Sequence, residues 1–304
     1  MEIMSRTITV ALDGSRESRC AADWAAREAE LRGLPVRLVQ VWEPVQGGMA
    51  EAPLLGAETH RHWTERIPRE AAQELRQSHP GVEVTTEQFT GSPADALVRA
   101  SEDAEMLVLG SRGLSGIGGF LVGSVGRSVV AHCERPVVLV RAGQQAADEH
   151  ETDPAGASTT TTPFRPVVLG LDVNAPDRTL IEFAFEEAAR RSAPLRVVHG
   201  WNPPYYYAYG MAPDPEVTAM VERSNAEALA EALSSWQQKY PDVEVVAESR
   251  GESPSVLLIE ASREASLVVV GRRIRRSPIG FHIGTVTQAA LHHSVAPVAV
   301  VAYE

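Results

Sequence analysis

Short, nearly uninterrupted apolar runs punctuate the chain, among them Ile8–Leu12, Val36–Val41, Met106–Leu109 and Val137–Val140. Runs this short, apolar at consecutive positions, are expected of strands buried on both faces of a parallel sheet covered by helices. Between them the apolar positions take a helical period. Ser15 to Arg32 sets Cys20, Ala21, Trp24 and Ala25 on one face, and Gly33 followed by Pro35 closes it. Pro93 to Glu102 and Pro254 to Arg263 both open on Ser-Pro, while Glu65 to Gln77 and Val217 to Lys239 are longer and alanine-rich. Pro176 to Arg191 carries its proline in the first turn, where the missing N–H costs nothing.

These elements occur twice. Ile8-Thr-Val-Ala-Leu-Asp13 returns as Val167-Val-Leu-Gly-Leu-Asp172, and Val36 to Pro44 returns as Leu195 to Pro203. Val82-Glu-Val-Thr, Met106 to Gly110 and Arg135 to Val140 return from Val243, Leu267 and Ala296. The offset is 159 (167 − 8) for the first two pairs and 161 (243 − 82) for the rest, so two residues are inserted mid-repeat. Five matched segments in one order mark a duplication. Gly143 to Phe164, rich in Gln, Asp, Glu, Ser, Gly and Thr, holds almost nothing to bury and reads as a flexible linker. The expected domains are 1–142 and 165–304, joined by 143–164. Each reads β-α-β-α-β-α-β-α-β, which predicts two tandem doubly wound α/β domains with right-handed crossovers, and the strand order is taken as 3-2-1-4-5.

Composition narrows the function. The 304 residues are 44% hydrophobic and 22% charged, ordinary for a globular protein, and the net charge is -12. Nucleic-acid affinity rests on clustered Lys and Arg, so that partner is not expected. No apolar run reaches the ~18 residues of a membrane span. Met1 to Val10 runs into a strand without a signal-like segment, and Cys20 and Cys133 are far apart, so a reducing cytoplasm is the expected compartment. His60 and His62 do not share a helix face, and no metal site is expected.

In an open parallel sheet ligands settle beyond the carboxyl ends of the strands, where the winding reverses. Asp13 follows strand 1 there and Gly110 follows strand 4. Next come Ser111-Arg112-Gly113, nine residues, and Gly123-Ser124-Val125 leading into a helix. Gly110 and Gly113 permit backbone angles closed to other residues and a close approach to an anion. The helix opening at Gly123-Ser124 offers free N–H groups to phosphate. Asp13 suits ribose hydroxyls, and Val41 suits the wall of an adenine slot. No GxxxxGK[ST] is present, which excludes a P-loop, and His282-Ile-Gly-Thr285 lies too late in its repeat for a synthetase signature.

The pattern Gly110-x2-Gly113-x9-Gly123-Ser124 resembles the ATP-binding loop of the universal stress protein family, and the likeness spans both halves except the linker. It implies a Rossmann-like, adenine nucleotide alpha hydrolase-like fold, with ATP, with or without Mg, on Asp13, Val41, Gly110, Arg112, Gly113, Gly123, Ser124 and Val125. It further implies a stress, dormancy or hypoxia role as nucleotide sensor, at most slow hydrolysis, no catalytic residue, a homodimer, and terminal strands 136–141 and 297–302 paired antiparallel.

The second copy departs from the pattern. It keeps Asp172, Gly271, Gly284 and Thr285, but Ile274 replaces the second glycine and Gly200 replaces Val41. Asp172, Gly271, Arg272, Gly284, Thr285 and Val286 are its candidate ATP residues. Arg272, Arg273, Arg275 and Arg276 either grip a phosphate or form a solvated or domain-contacting face. The competing reading of the whole chain is a pseudo-dimeric scaffold that binds an unknown protein partner without nucleotide.

Overall fold

The computed structural model describes residues 6–43, 55–113, 120–153, 159–202, 215–274 and 283–304, with backbone alone at 55–65, 112–113 and 120–121. The loop glycines 116, 118 and 119, the tyrosines 205–207 and 209, Arg275 and Arg276 lie outside the described residues. So do the side chains of His60, His62 and Trp63. The chain forms two compact units that part between Gln145 and Ala146.

The first unit runs β1 (Thr7–Leu12), α1 (Arg16–Arg32), β2 (Val36–Trp42), α2 (Leu55–Ser78), β3 (Val84–Thr90) and α3 (Pro93–Ser101). It continues through β4 (Ala104–Gly113), β5 (Phe120–Leu121), α4 (Ser124–His132) and β6 (Val137–Arg141). Its main strands lie parallel in the order β3-β2-β1-β4-β6, the predicted 3-2-1-4-5. The second unit repeats this with β7 (Val167–Gly170), α5 (Arg178–Arg191), β8 (Leu195–Gly200), α6 (Pro215–Lys239) and β9 (Val245–Arg250). It closes with α7 (Pro254–Ala261), β10 (Leu267–Arg273), α8 (Thr285–His293) and β11 (Val298–Tyr303), ordered β9-β8-β7-β10-β11 and again parallel.

Local chemistry sets the helix ends. The Ser15 hydroxyl accepts the Ser18 amide at 3.1 Å and caps α1, and Gly33 ends it in the left-handed conformation at φ 65°. In the second unit the cap is Asp177, so α5 starts two residues later than the Pro176 opening predicted. Helix α2 is longer than expected, running from Leu55 through an internal Pro68.

The central strands have the expected double burial: Met106, Leu107 and Val108 are consecutive and fully buried. The outer strands do not. Most of β3 and half of β9 are open to solvent, because an edge strand lacks a second neighbour, and Thr85, Thr86, Glu87 and Gln88 of β3 are polar.

Part of the stretch between the repeats takes regular structure. Ala146–Glu149 forms a 3-10 turn, and Glu149 and His150 are buried within the second unit. His150 bridges Phe164 antiparallel, its ring centroid 4.1 Å from that of Phe164, and Arg165 Nε donates to the His150 carbonyl at 2.8 Å. A stretch with few apolar residues is thus anchored by one aromatic pair and its own backbone hydrogen bonds.

Candidate functional site

In the first unit β1 and β4 are neighbours, yet β1 leads outward to β2 while β4 leads the other way to β6. The crevice expected at such a reversal is present. It is a cavity of about 420 Å³ whose walls include Asp13, Val41, Gly110, Gly123, Ser124 and Val125. That size lies within the range of small-molecule sites, ~300–1,000 Å³. Six of the eight residues singled out in the first repeat therefore share one cleft.

Asp13 stands at its mouth, exposed. Its Oδ1 accepts the Ser15 amide at 3.0 Å and the Ser15 hydroxyl at 2.5 Å. The same hydroxyl accepts the Ser18 amide, so one residue caps α1 and fixes the carboxylate. Desolvation by the cleft walls pushes the Asp13 carboxyl up. Hydrogen bonds from the Ser15 hydroxyl, the Ser15 amide and the Ser18 hydroxyl outweigh it and hold the group below the ordinary aspartate value. Asp13 is consequently a charged, acceptor-only group at neutral pH. Both Ser15 contacts fall on Oδ1.

The two glycines of the cleft are glycine for different reasons. A β-carbon at Gly110 would lie 2.5 Å from the Glu17 carbonyl carbon and 2.6 Å from the Ser18 nitrogen. Gly110 also lies in a regular strand without positive φ. The expectation that it supplies an unusual backbone angle is thus corrected: it lets α1 sit against β4. A β-carbon at Gly123 would meet nothing within 4 Å. Gly123 caps α4 without a side-chain hydrogen bond, so the first-turn amides face the cleft with no side-chain acceptor at the cap. That is where an anion is favoured.

The Arg112 side chain lies outside the described residues, and of Gly113 the backbone alone is described. Strand β4 extends through both, and they pair antiparallel with Leu121 and Phe120 of β5. Sequence reasoning missed Ser15, Glu17, Ser18, Pro93 and Leu97, which also line the cavity. The Asp-x-Ser spacing at 13–15 carries a signal for one of them, since short polar side chains there make Asx turns and caps.

The second unit has a crevice of about 470 Å³ at the equivalent place, and Asp172, Gly271, Gly284, Thr285 and Val286 line it. Arg272 does not. It is buried in β10, and Arg273 is exposed and also absent from the lining, so neither described arginine stands where it would grip a phosphate there. Trp201, His199 and Tyr303 line this cleft and have no aromatic counterpart in the described lining of the first. Among the described residues no group of three or more His, Cys, Asp or Glu is placed to hold a metal ion, and no helix is long and apolar enough to cross a membrane.

Fold and clefts together define a tandem doubly wound α/β protein with one crevice per repeat at the sheet reversal. The sequence profile of the universal stress protein family matches residues 4–141 and 163–302. A universal stress protein of Mycolicibacterium smegmatis is 33% identical over 300 residues, covering 97% of this chain and 96% of that protein. One from Mycobacterium tuberculosis is 33% identical over 315 residues, covering 96% and 94%. The chain belongs to the universal stress protein family. The crystal structure of a family member from Archaeoglobus fulgidus covers 98% of both chains with a TM-score of 0.67 at 17% identity, a likeness of fold.

Proposed function

We propose that the first cleft binds ATP and that the chain acts in the cytoplasm as a nucleotide-occupancy sensor in a stress or dormancy response. The observation that supports this best is the convergence of three features on one cavity. They are the charged Asp13, the uncapped amides of α4, and the open space over Gly123. The sugar would lie on Asp13, the base against Val41, and the phosphates, with or without Mg, at Gly123, Ser124 and Val125.

Binding rather than turnover is the reading that fits the cleft's own groups. Its described titratable residues are Asp13 and Glu17. A carboxylate held below its usual pKa is a weak base, and general-base catalysis is best served by a pKa near the working pH. At most slow hydrolysis is expected.

The test is to denature the purified chain and analyse the supernatant for copurified adenine nucleotide, then titrate ATP into the emptied protein. Wild type should bind ATP, and Gly123→Glu should weaken it by at least about tenfold, roughly 1.4 kcal/mol. Equal ATP affinity in the folded variant would remove the proposal.

A further inference from the structure

The turn that carries Asp13 is held from two sides. On one side Ser15 caps α1 and donates to the carboxylate. On the other stands Ile67 of α2. Gly14 has φ 81°, in the left-handed region that favours glycine. A β-carbon there would lie 2.9 Å from Ile67 Cδ1, 3.3 Å from Cγ1 and 3.7 Å from Cγ2. The Ile67 side chain therefore fills the space a side chain at position 14 would take, against the backbone between Asp13 and Ser15. The other described glycines with positive φ, Gly33, Gly91 and Gly143, would meet nothing within 4 Å. Coverage of this kind is particular to the Asp13 turn.

Little else braces the contact. One helical turn further along α2, the two helices part around a cavity of about 610 Å³, with Arg16, Arg19 and Cys20 on one wall and Ala71, Glu74 and Leu75 on the other. They meet again just past the end of α2, where His79 lies 3.2 Å from Asp23 and 2.9 Å from Glu30. Pro68 follows Ile67 inside the helix and lacks the N–H that would join the preceding turn. The helix is thus least restrained where it touches Gly14. The second repeat holds its aspartate differently. The Asn174 amide and side chain donate to Asp172 Oδ1 at 3.0 and 3.1 Å, and Val173 to Pro176 offer no glycine for a side chain to cover.

We infer that Ile67 is a positioning residue for the first cleft, and that through it occupancy of the cleft is coupled to α2. The coupling rests on the reading of that cleft as a nucleotide site. Asp13 keeps its Ser15 donors only while the turn keeps its shape, and a branched side chain wedged on the central glycine removes room for the turn to open. A ligand held on Asp13 needs the same shape. By linkage, a ligand that fixes the turn also fixes the seat of Ile67, and α2 with it.

The experiment uses the full chain as wild type, Ile67→Ala, Ile67→Val and Leu75→Ala. Leu75 is buried in the same helix two turns from Ile67, so its truncation controls for lost packing alone. The Asp13 carboxyl carbon resonance is followed against pH without ligand, ATP is titrated, and amide exchange in α2 is compared with and without ATP. Ile67→Ala is expected to move the Asp13 titration up toward that of an ordinary aspartate, to weaken ATP about fivefold or more, and to abolish the slowing of α2 exchange by ATP. Ile67→Val, which removes only Cδ1, should change each in the same direction by less, and it decides by the same readouts if Ile67→Ala does not fold. Leu75→Ala should lower the urea midpoint and leave the Asp13 titration in place. A folded Ile67→Ala with wild-type Asp13 titration or wild-type ATP affinity would overturn the inference. So would an equal Asp13 shift in Leu75→Ala, or α2 exchange that ATP does not slow in wild type. Wild type that binds no ATP would instead remove the nucleotide reading and the coupling with it, while the ligand-free Asp13 titration still decides whether Ile67 positions the turn.

Discussion

A β-carbon added at Gly110 would overlap the backbone of α1, whereas one added at Gly123 would enter empty cleft. Gly110→Ala is therefore expected to destabilise the first unit by about 1–3 kcal/mol, the cost of overpacking. Gly123→Ala should cost no more than a lost helix cap, about 1 kcal/mol, while weakening ATP. Urea unfolding beside ATP titration separates the two effects. The folded pKa of Asp13 lies below its unfolded value near ~3.9. Its contribution to stability is thus complete above that value and lost as pH falls through the folded pKa. Between pH 5 and 8 ATP affinity should show no titration assignable to Asp13. Ser15→Ala removes both the hydroxyl donor and the α1 cap. The Asp13 pKa should rise, read from its carboxyl carbon resonance, and stability should fall by about 1 kcal/mol. Asp13 and the glycine spacing were legible in the sequence. The separate duties of Gly110 and Gly123 were not, because both depend on what lies across space from a missing β-carbon.

At the scale of elements, the duplication preserved a device that the apolar pattern hides. In α1, Arg32 Nε donates to Glu28 at 2.6 Å with both side chains buried. In α5, Arg191 and Glu187 make the same i,i+4 pair at 2.6 Å, at 1% and 0% side-chain exposure. The offset of 159 relates both residues of the two pairs (187 − 28 and 191 − 32). Removing one partner leaves a buried charge, so Glu187→Ala should cost about 3–5 kcal/mol, measured by chemical unfolding. Replacing both partners with apolar residues of similar volume should cost much less. Helix starts at Ser15 and stops at Gly33 were legible because caps act locally. The exposure of β3 and β9 followed from strand order, and the hairpin of β4 with β5 followed from pairing across a loop. No local pattern encodes either.

For the whole molecule, the two repeats are one fold with two clefts of different chemistry, so a ligand of one should leave the other unit unchanged. ATP at about 100 times its Kd should stabilise the unit that holds it by about 2.7 kcal/mol. Hydrogen exchange is expected to slow within Met1–Gln145 and not beyond Ala146. Protection that spreads equally through both would show that the second cleft also takes ATP.

The sequence by itself determined the duplication and the parallel α/β class and, with the order 3-2-1-4-5 supposed, the position of the crevice. Apolar periodicity, caps and glycine spacing act over a few residues, and a doubly wound sheet has one reversal point. Only the tertiary structure decided that Gly110 serves helix packing, that Arg272 is buried away from the second cleft, and that Trp201 and Tyr303 line that cleft. Those outcomes depend on which side chains from distant segments occupy the same volume, and volume is shared only once the chain has folded.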